Sequence, residues 1–308
     1  DVQGVWLATD PGHTGTNYFA GGSFAGTTIT LGTPLPGAAT NVEVVYSSLH
    51  PHYLAQNYAI DDIRAVGGLD VNTDEYGHGT AEAANVLAVA PGCTFSFVKY
   101  SDGGWNSFPL AGFQAAVQHQ NPQVITCSWG MLGMDNALLL EIANAVASGI
   151  IVIFSAGNGH TDNPAGSVLT VTHPNLISIG GAYPIEGGGF RASNYSSSYD
   201  SYLYTSPQRH CPDVVGLVGE MPRACLIMLP TESNNDMDQD LASSGAFPNG
   251  DNTATNDGWC VCSGTSASAP QTAGIAALLL QQFPTLTPMA VKNILENSAR
   301  DVPTGTSA

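Results

Sequence analysis

Apolar and polar residues alternate along positions 1–48, in GVWLAT, TTITL and NVEVVYSS, with clusters of Gly, Pro and Asn between them. A period of two is strand-and-turn language. A β-rich N-terminal segment is therefore expected over 1–48, its last strand being a candidate member of a core sheet. From about residue 50 the period changes. HYLAQNYAIDDI carries Leu54, Tyr58 and Ile63 near helical spacing and stops at Gly67–Gly68, which predicts a helix. Beyond it, TFSFVKY, QVITCSWG, IIVIFSAGN, NLISIGGA and PDVVGLVG read as strands. Their near-continuous Val and Ile mark strands buried on both faces. FPLAGFQAAVQHQ and NALLLEIANAVASG read as helices between them, and SASAPQTAGIAALLLQQF as a long apolar helix near the end. TPMAVKNILENSA is a further helix, with Thr287 as N-cap and Pro288 at its first position. The alternation predicts an α/β domain over 49–308, a parallel sheet with helices on both faces. Residues 231–258 are polar and rich in Gly and Asn, and are expected to form a long surface loop or insertion.

A length of 308 residues suits one large domain with a small appendage. Charge narrows the partners. Seven Lys and Arg stand against 25 Asp and Glu, a formal net charge of −18. Nucleic acid is excluded as a partner, because almost no positive charge is available to meet phosphates. An anionic membrane surface is excluded likewise, and no apolar run reaches the ~18 residues of a membrane-spanning helix. Charged residues are only 10% of the chain, so the acidity comes from scarce Lys and Arg. A surface of Ser, Thr, Asn and Gly fits an extracellular or secreted setting. The opening DVQGVWLATD lacks the basic start of a signal peptide and, like the closing PTGTSA, reads as a cut end.

The six cysteines are Cys93, Cys127, Cys211, Cys225, Cys260 and Cys262. Cys127 sits in an apolar run and is expected to be a buried free thiol. Cys211 and Cys225 flank a short loop and are the best disulfide candidates. Cys260 and Cys262 would face the same way on a strand, too close in sequence for a relaxed bridge.

Three short stretches carry chemistry together. Gly77-His78-Gly79-Thr80 enters a helical run, Ser155-Ala156-Gly157-Asn158-Gly159 leaves a buried strand, and Gly264-Thr265-Ser266-Ala267-Ser268-Ala269-Pro270 opens a helix. In an open parallel sheet, chemistry gathers at the carboxyl ends of strands and the helix starts that follow. A Ser at a helix N-terminus feels the positive dipole end. A His can take its proton, and an Asn amide can donate to an oxyanion.

With these residues in this order, the chain resembles the subtilisin-like serine peptidases over roughly 42–300. GHGT is similar to the family's histidine motif, SAGN to its oxyanion-asparagine motif, and SGTSASAP to its nucleophile motif. The resemblance implies a serine endopeptidase acting on protein or peptide substrates, with Ser266 as nucleophile, His78 as general base and Asn158 in the oxyanion hole. It implies no required cofactor, allows calcium for stability, and adds a cleaved pro-segment to the expected partners. Two alternatives stay open: an impaired scaffold kept for binding or assembly, and a peptide ligase or transferase using the same site.

The resemblance breaks at the acid. The family carries an Asp on its first core strand, but the matching stretch here is NVEVVYSSLHP, with Tyr46 or Ser48 in its place. Three replacements offer themselves. Glu82 stands four residues after His78, on the same helix face, and a carboxylate turned inward there needs a partner. The related sedolisins set a precedent, with two acidic catalytic residues four apart on this helix. Asp10, in VWLATDPG, is the second candidate. Asp61 or Asp62 is the third, although the helical reading of that stretch counts against it.

Elsewhere, His50 and His52 form an H-x-H pair that could hold a metal. Asp236, Asp238 and Asp240 are spaced like an oxygen-rich cation loop, with Leu241 and Phe247 where a true calcium loop has Gly and Glu. Trp129 lies where the family pairs an extended substrate, and is expected either to shape the specificity pocket or to belong to the core.

Overall fold

The computed structural model describes strands at 2–7, 23–25, 28–30 and 42–46, then residues 60–104, 106–119, 121–130, 135–159, 172–185, 188–220, 227–243, 251 and 253–302, with side chains from residue 63 onward. Two compact units cover residues 1–56 and 57–308. In the first, β1 (Val2–Leu7) pairs antiparallel with β4 (Val42–Tyr46), and β2 (Ser23–Ala25) with β3 (Thr28–Thr30). β4 was the expected first core strand. Among the described residues its only ladder is the antiparallel one with β1.

The second unit begins with β5 (Ile60–Ala65), which pairs parallel with β6 (Phe95–Lys99). This corrects the sequence reading of a helix through residue 63. The parallel partner completes the hydrogen bonds of IDDIRA, and tertiary pairing overrides a weak helical period. Between the two strands comes α1 (His78–Val89). After β6 follow α2 (Pro109–Gln118), β7 (Val124–Cys127), α3 (Asn136–Ala147), β8 (Ile151–Ser155) and β9 (Ile177–Pro184). β7, β8 and β9 are parallel neighbours, and β13 (Val214–Leu217) extends them parallel on the far side of β9. The short β10 (Phe190–Ala192) is antiparallel to β9, and β11 (Tyr199–Thr205) and β12 (Gln208–Cys211) form a hairpin.

β8 shows why the sheet is covered on both faces. Every residue of it is buried. Val152 and Phe154 pack with Phe113, Leu138 and Ile142 of α2 and α3. Ile151 and Ile153 turn the other way, onto Ala269, Ala273 and Ala276 of α5 (Thr265–Gln282) and Val291 of α6 (Pro288–Ser298). Thr287 caps α6 by accepting from the Ala290 N–H, with Pro288 at the first helical position. α5 also packs along α1. At Gly274 a methyl would lie 2.7 Å from Val89 Cβ and 3.0 Å from the Val86 carbonyl, so only glycine allows the helices this approach.

The described residues within 231–258 are not all loop. They hold α4 (Asp236–Ser243), and β15 (Trp259–Cys262) follows, antiparallel to β14 (Ile227–Pro230). Asp236, Asp238 and Asp240 therefore lie on or beside one helix rather than around a cation loop. Asp238 is fully buried and accepts from the Asn234 N–H. Cys127 is a buried free thiol, as expected. Cys260 and Cys262 are free thiols hydrogen-bonded to each other. Cys211 is buried at the end of β12, and Cys225 lies outside the described residues. No helix among the described residues is long and apolar enough to cross a membrane.

Candidate active site

α1 starts abruptly because two residues before it prepare its first turn. Gly77 has φ 97°, a left-handed conformation natural to glycine, and a side chain there would overlap Thr231 and Asn235. Asp74 supplies the cap. Its Oδ1 accepts from the Gly77 N–H at 2.9 Å, and its Oδ2 from the Thr80 N–H at 2.8 Å and the Thr80 hydroxyl at 2.6 Å. A carboxylate over the first amides of a helix satisfies groups that have no internal partner.

His78 is the first residue of that helix and Glu82 lies one turn on. His78 Nε2 and Glu82 Oε1 are 3.5 Å apart, with side-chain exposures of 36% and 13%. Glu82 Oε2 accepts from Asn85 Nδ2 at 3.0 Å. The Asn85 amide is itself oriented, because its Oδ1 accepts from Gln271 Nε2 of α5 at 3.2 Å. Gln271 also donates to the Leu217 carbonyl at 3.1 Å. A relay from β13 through α5 thus fixes the carboxyl that faces His78. Burial pushes the Glu82 carboxyl up to about 8, with the Asn85 hydrogen bond opposing. Burial also pulls His78 below its ordinary value, and the charge of Asp74 opposes that. Near neutrality both side chains are thus held largely uncharged.

The second half of the site forms where β7 and β8 end against the start of α5. Asn158 Oδ1 accepts from the Thr265 N–H at 2.8 Å and the Thr265 hydroxyl at 2.9 Å. Thr265 Oγ1 in turn accepts from the Gly157 N–H at 3.1 Å. With its oxygen held this way, the Asn158 amide presents its N–H₂. A methyl on Gly264 would lie 3.2 Å from Asn158 Nδ2 and 3.7 Å from the Ser266 backbone nitrogen. Two nitrogens, with Asn158 Oδ1 also at 3.7 Å, thus lie near one point beside Gly264. Ser266 Oγ donates to the Ser128 carbonyl at 3.3 Å, and Ser128 Oγ donates back to the Ser266 carbonyl at 2.7 Å. Among the described residues the resting partner of this hydroxyl is Ser128, not His78. Catalytic hydrogen bonds commonly tighten only once substrate is bound.

His78 and Glu82 are thus brought together, as are Asn158 and Ser266. Asp61 and Asp62 fall on β5, their side chains outside the described residues. Asp10, Ser48, His50 and His52 also lie outside them, as does the side chain of Tyr46. Among the described residues no group of three or more His, Cys, Asp or Glu is placed to hold a metal ion. Trp129 packs on the core, its ring 4.9 Å from that of Tyr100 and edge-on to Phe154 at 5.3 Å. Sequence reasoning missed Asp74, Asn85 and Gln271, and gave Thr265 and Ser128 no role of their own. Only Asp74 left a signal, a capping residue just ahead of a helix start.

Comparison with known proteins gives the family and the fold. The model of the subtilase family matches residues 40–308. Fervidolysin of Fervidobacterium pennivorans is 29% identical over 76% of this chain, and subtilisin DY of Bacillus licheniformis 27% identical over 78%. The match spans 33% of the former and 79% of the latter. Subtilisin NAT of Bacillus subtilis subsp. natto is 31% identical over 72% of this chain and 49% of its own length. Among solved structures, a cold-adapted subtilisin-like serine proteinase superposes with a TM-score of 0.57 at 21% identity, covering 80% of this chain and 77% of that one. The fervidolysin structure gives 0.57 at 25%, covering 76% and 34%. The fold is subtilisin-like, and the chain belongs to the subtilase family.

Proposed function

We propose that this chain is a secreted serine endopeptidase in which Glu82 takes the part of the missing strand aspartate. The observation that carries the reading is the approach of two nitrogens, Asn158 Nδ2 and the Ser266 backbone N–H, to one point beside Gly264. Two such donors can receive the oxygen of a tetrahedral intermediate.

On binding of a peptide, Ser266 Oγ leaves the Ser128 carbonyl and attacks the scissile carbonyl carbon. Its proton passes to the His78 ring nitrogen that does not face Glu82. The carbonyl oxygen becomes an oxyanion and takes hydrogen bonds from Asn158 Nδ2 and the Ser266 N–H. Glu82, once ionised, stabilises the imidazolium and holds its orientation. Collapse breaks the C–N bond, and His78 returns the proton to the departing amine. An acyl group is left on Ser266. Water then repeats the sequence, giving its proton to His78 and releasing the acid. No step calls on a cofactor.

Mass spectrometry of a peptide mixture incubated with the protein tests the reaction class. Two fragments per cleaved peptide, with one water added, are expected. Products joining two peptides would favour a ligase, and unchanged peptides a binding scaffold. Asn158→Ala tests the oxyanion assignment. A fall in kcat of about 10²–10³-fold with KM little changed is expected, a magnitude carried over from subtilisin, a relative of this chain. Unchanged kcat would remove Asn158 from the site.

A further inference from the structure

The loop between β5 and α1 folds over a buried cation. Lys99, the last residue of β6, is 7% exposed. Its Nζ donates to the Asp70 carbonyl at 2.8 Å, the Thr73 carbonyl at 2.8 Å and Glu75 Oε2 at 2.5 Å. An ammonium has three donors, so all of them are spent on one short loop. Glu75 is fixed further by the Thr73 hydroxyl, which donates to its Oε1 at 2.6 Å.

The anchored residues stand on both sides of Asp74, the residue that caps the helix carrying His78. The other wall of the loop is equally determined. The Asp74 N–H donates to Glu232 Oε2 at 2.8 Å, and the Asp236 and Met237 N–H groups at the start of α4 donate to the Glu75 and Tyr76 carbonyls at 3.1 and 3.0 Å. Asp74 is therefore held between a buried ammonium and the N-terminus of α4. A buried charge is costly unless it is paired and hydrogen-bonded. Here that requirement makes the oxygens of the loop converge on one point.

We propose that Lys99 is a positioning residue for catalysis: its ammonium fixes the Asp70–Glu75 oxygen cage, which sets Asp74, and through Asp74 the first turn of α1 and the place of His78. It touches no substrate and takes no proton. The inference rests on the peptidase reading above for its kinetic readout, and has a second readout that does not.

Lys99→Ala removes the atoms of n-propylammonium and leaves the cage oxygens in place. The expected result is retained circular dichroism, a fall in kcat of roughly tenfold to a hundredfold as His78 shifts by a fraction of an ångström, and KM changed by less than about twofold. Added n-propylammonium should restore kcat toward the wild-type value, while tetramethylammonium at equal ionic strength should not. Amide hydrogen exchange at Gly77 and Thr80 should quicken in the variant and slow again with n-propylammonium, whether or not any peptide is cleaved. Wild-type kcat in folded Lys99→Ala, or kcat and exchange that ignore the amine, overturns the proposal. If Lys99→Ala does not fold, Glu75→Ala decides, since that side chain is 45% exposed and its loss leaves the core intact. Faster exchange at Gly77 and Thr80 supports the proposal, and unchanged exchange overturns it. Turnover equal in wild type and Ser266→Ala would remove the peptidase reading alone, and the exchange data would still judge Lys99.

Discussion

Replacing Ser266 by alanine is expected to lower kcat by about 10⁶-fold, the figure that holds for the nucleophile of the related subtilisin. The fold should not suffer. The hydroxyl's resting partner is the Ser128 carbonyl at a long 3.3 Å, and the shorter reciprocal bond, from Ser128 Oγ to the Ser266 carbonyl, uses the backbone and survives. Asn158 stays pinned by Thr265, so substrate binding and the oxyanion space remain. Steady-state hydrolysis of a chromogenic peptide gives the ratio directly. A variant that keeps more than about one hundredth of wild-type turnover would place the nucleophile elsewhere.

Above about pH 8, where the Glu82 carboxyl is ionised, Glu82→Gln should have the next largest effect, a fall in kcat of about 10²–10⁴-fold with KM near normal. The two side chains have nearly the same shape, so the change removes a charge and fixes a direction. Asn85 Nδ2 points at the Glu82 position because Gln271 holds the Asn85 oxygen. The introduced amide must therefore turn its own oxygen to Asn85 and its N–H₂ to His78 Nε2. That makes Nε2 an acceptor and moves the ring proton to the other nitrogen, the one needed to receive the Ser266 proton. A wrong tautomer and an unsupported imidazolium act together. Near-normal kcat in Glu82→Gln, alongside loss in Asp10→Asn, would assign the acid to Asp10 instead.

Much of this was legible in the sequence, for reasons that differ by residue. His78, Asn158 and Ser266 stand out because each sits at a helix start or just past the end of a buried strand. The i, i+4 spacing of His78 and Glu82 needs only a helix to become proximity, and α1 supplies one. The strands β6 to β9 announced themselves as short apolar runs, with near-continuous Val and Ile in β8. β5 did not: its two aspartates interrupt the apolar run, and its pairing with β6 depends on residues more than 30 positions away. α4 was hidden in polar residues because it owes its place to hydrogen bonds with the Glu75 and Tyr76 carbonyls, not to an apolar stripe. The supports of the site were the least visible. Asn85, Gln271 and Thr265 are ordinary helix residues until folding brings α1, α5 and the end of β8 together. Lys99 reads in sequence as a charge closing a strand, and only the loop folded over it shows its use.

The central claim, that Glu82 is the acid behind His78, is tested most directly by the rate of fluorophosphonate labelling of Ser266 against pH, in wild type and Glu82→Gln. His78 must be unprotonated to act as base, so labelling rises as pH passes its depressed pKa, below the ordinary 6.5. Glu82 must be ionised to support the imidazolium, and its carboxyl is held up to about 8, so a second rise should centre there. The wild-type rate should therefore keep climbing into the alkaline range. Glu82→Gln should lose that second rise and label about a hundredfold more slowly or worse above it. Curves for the two proteins that superimpose across the whole range would contradict the account.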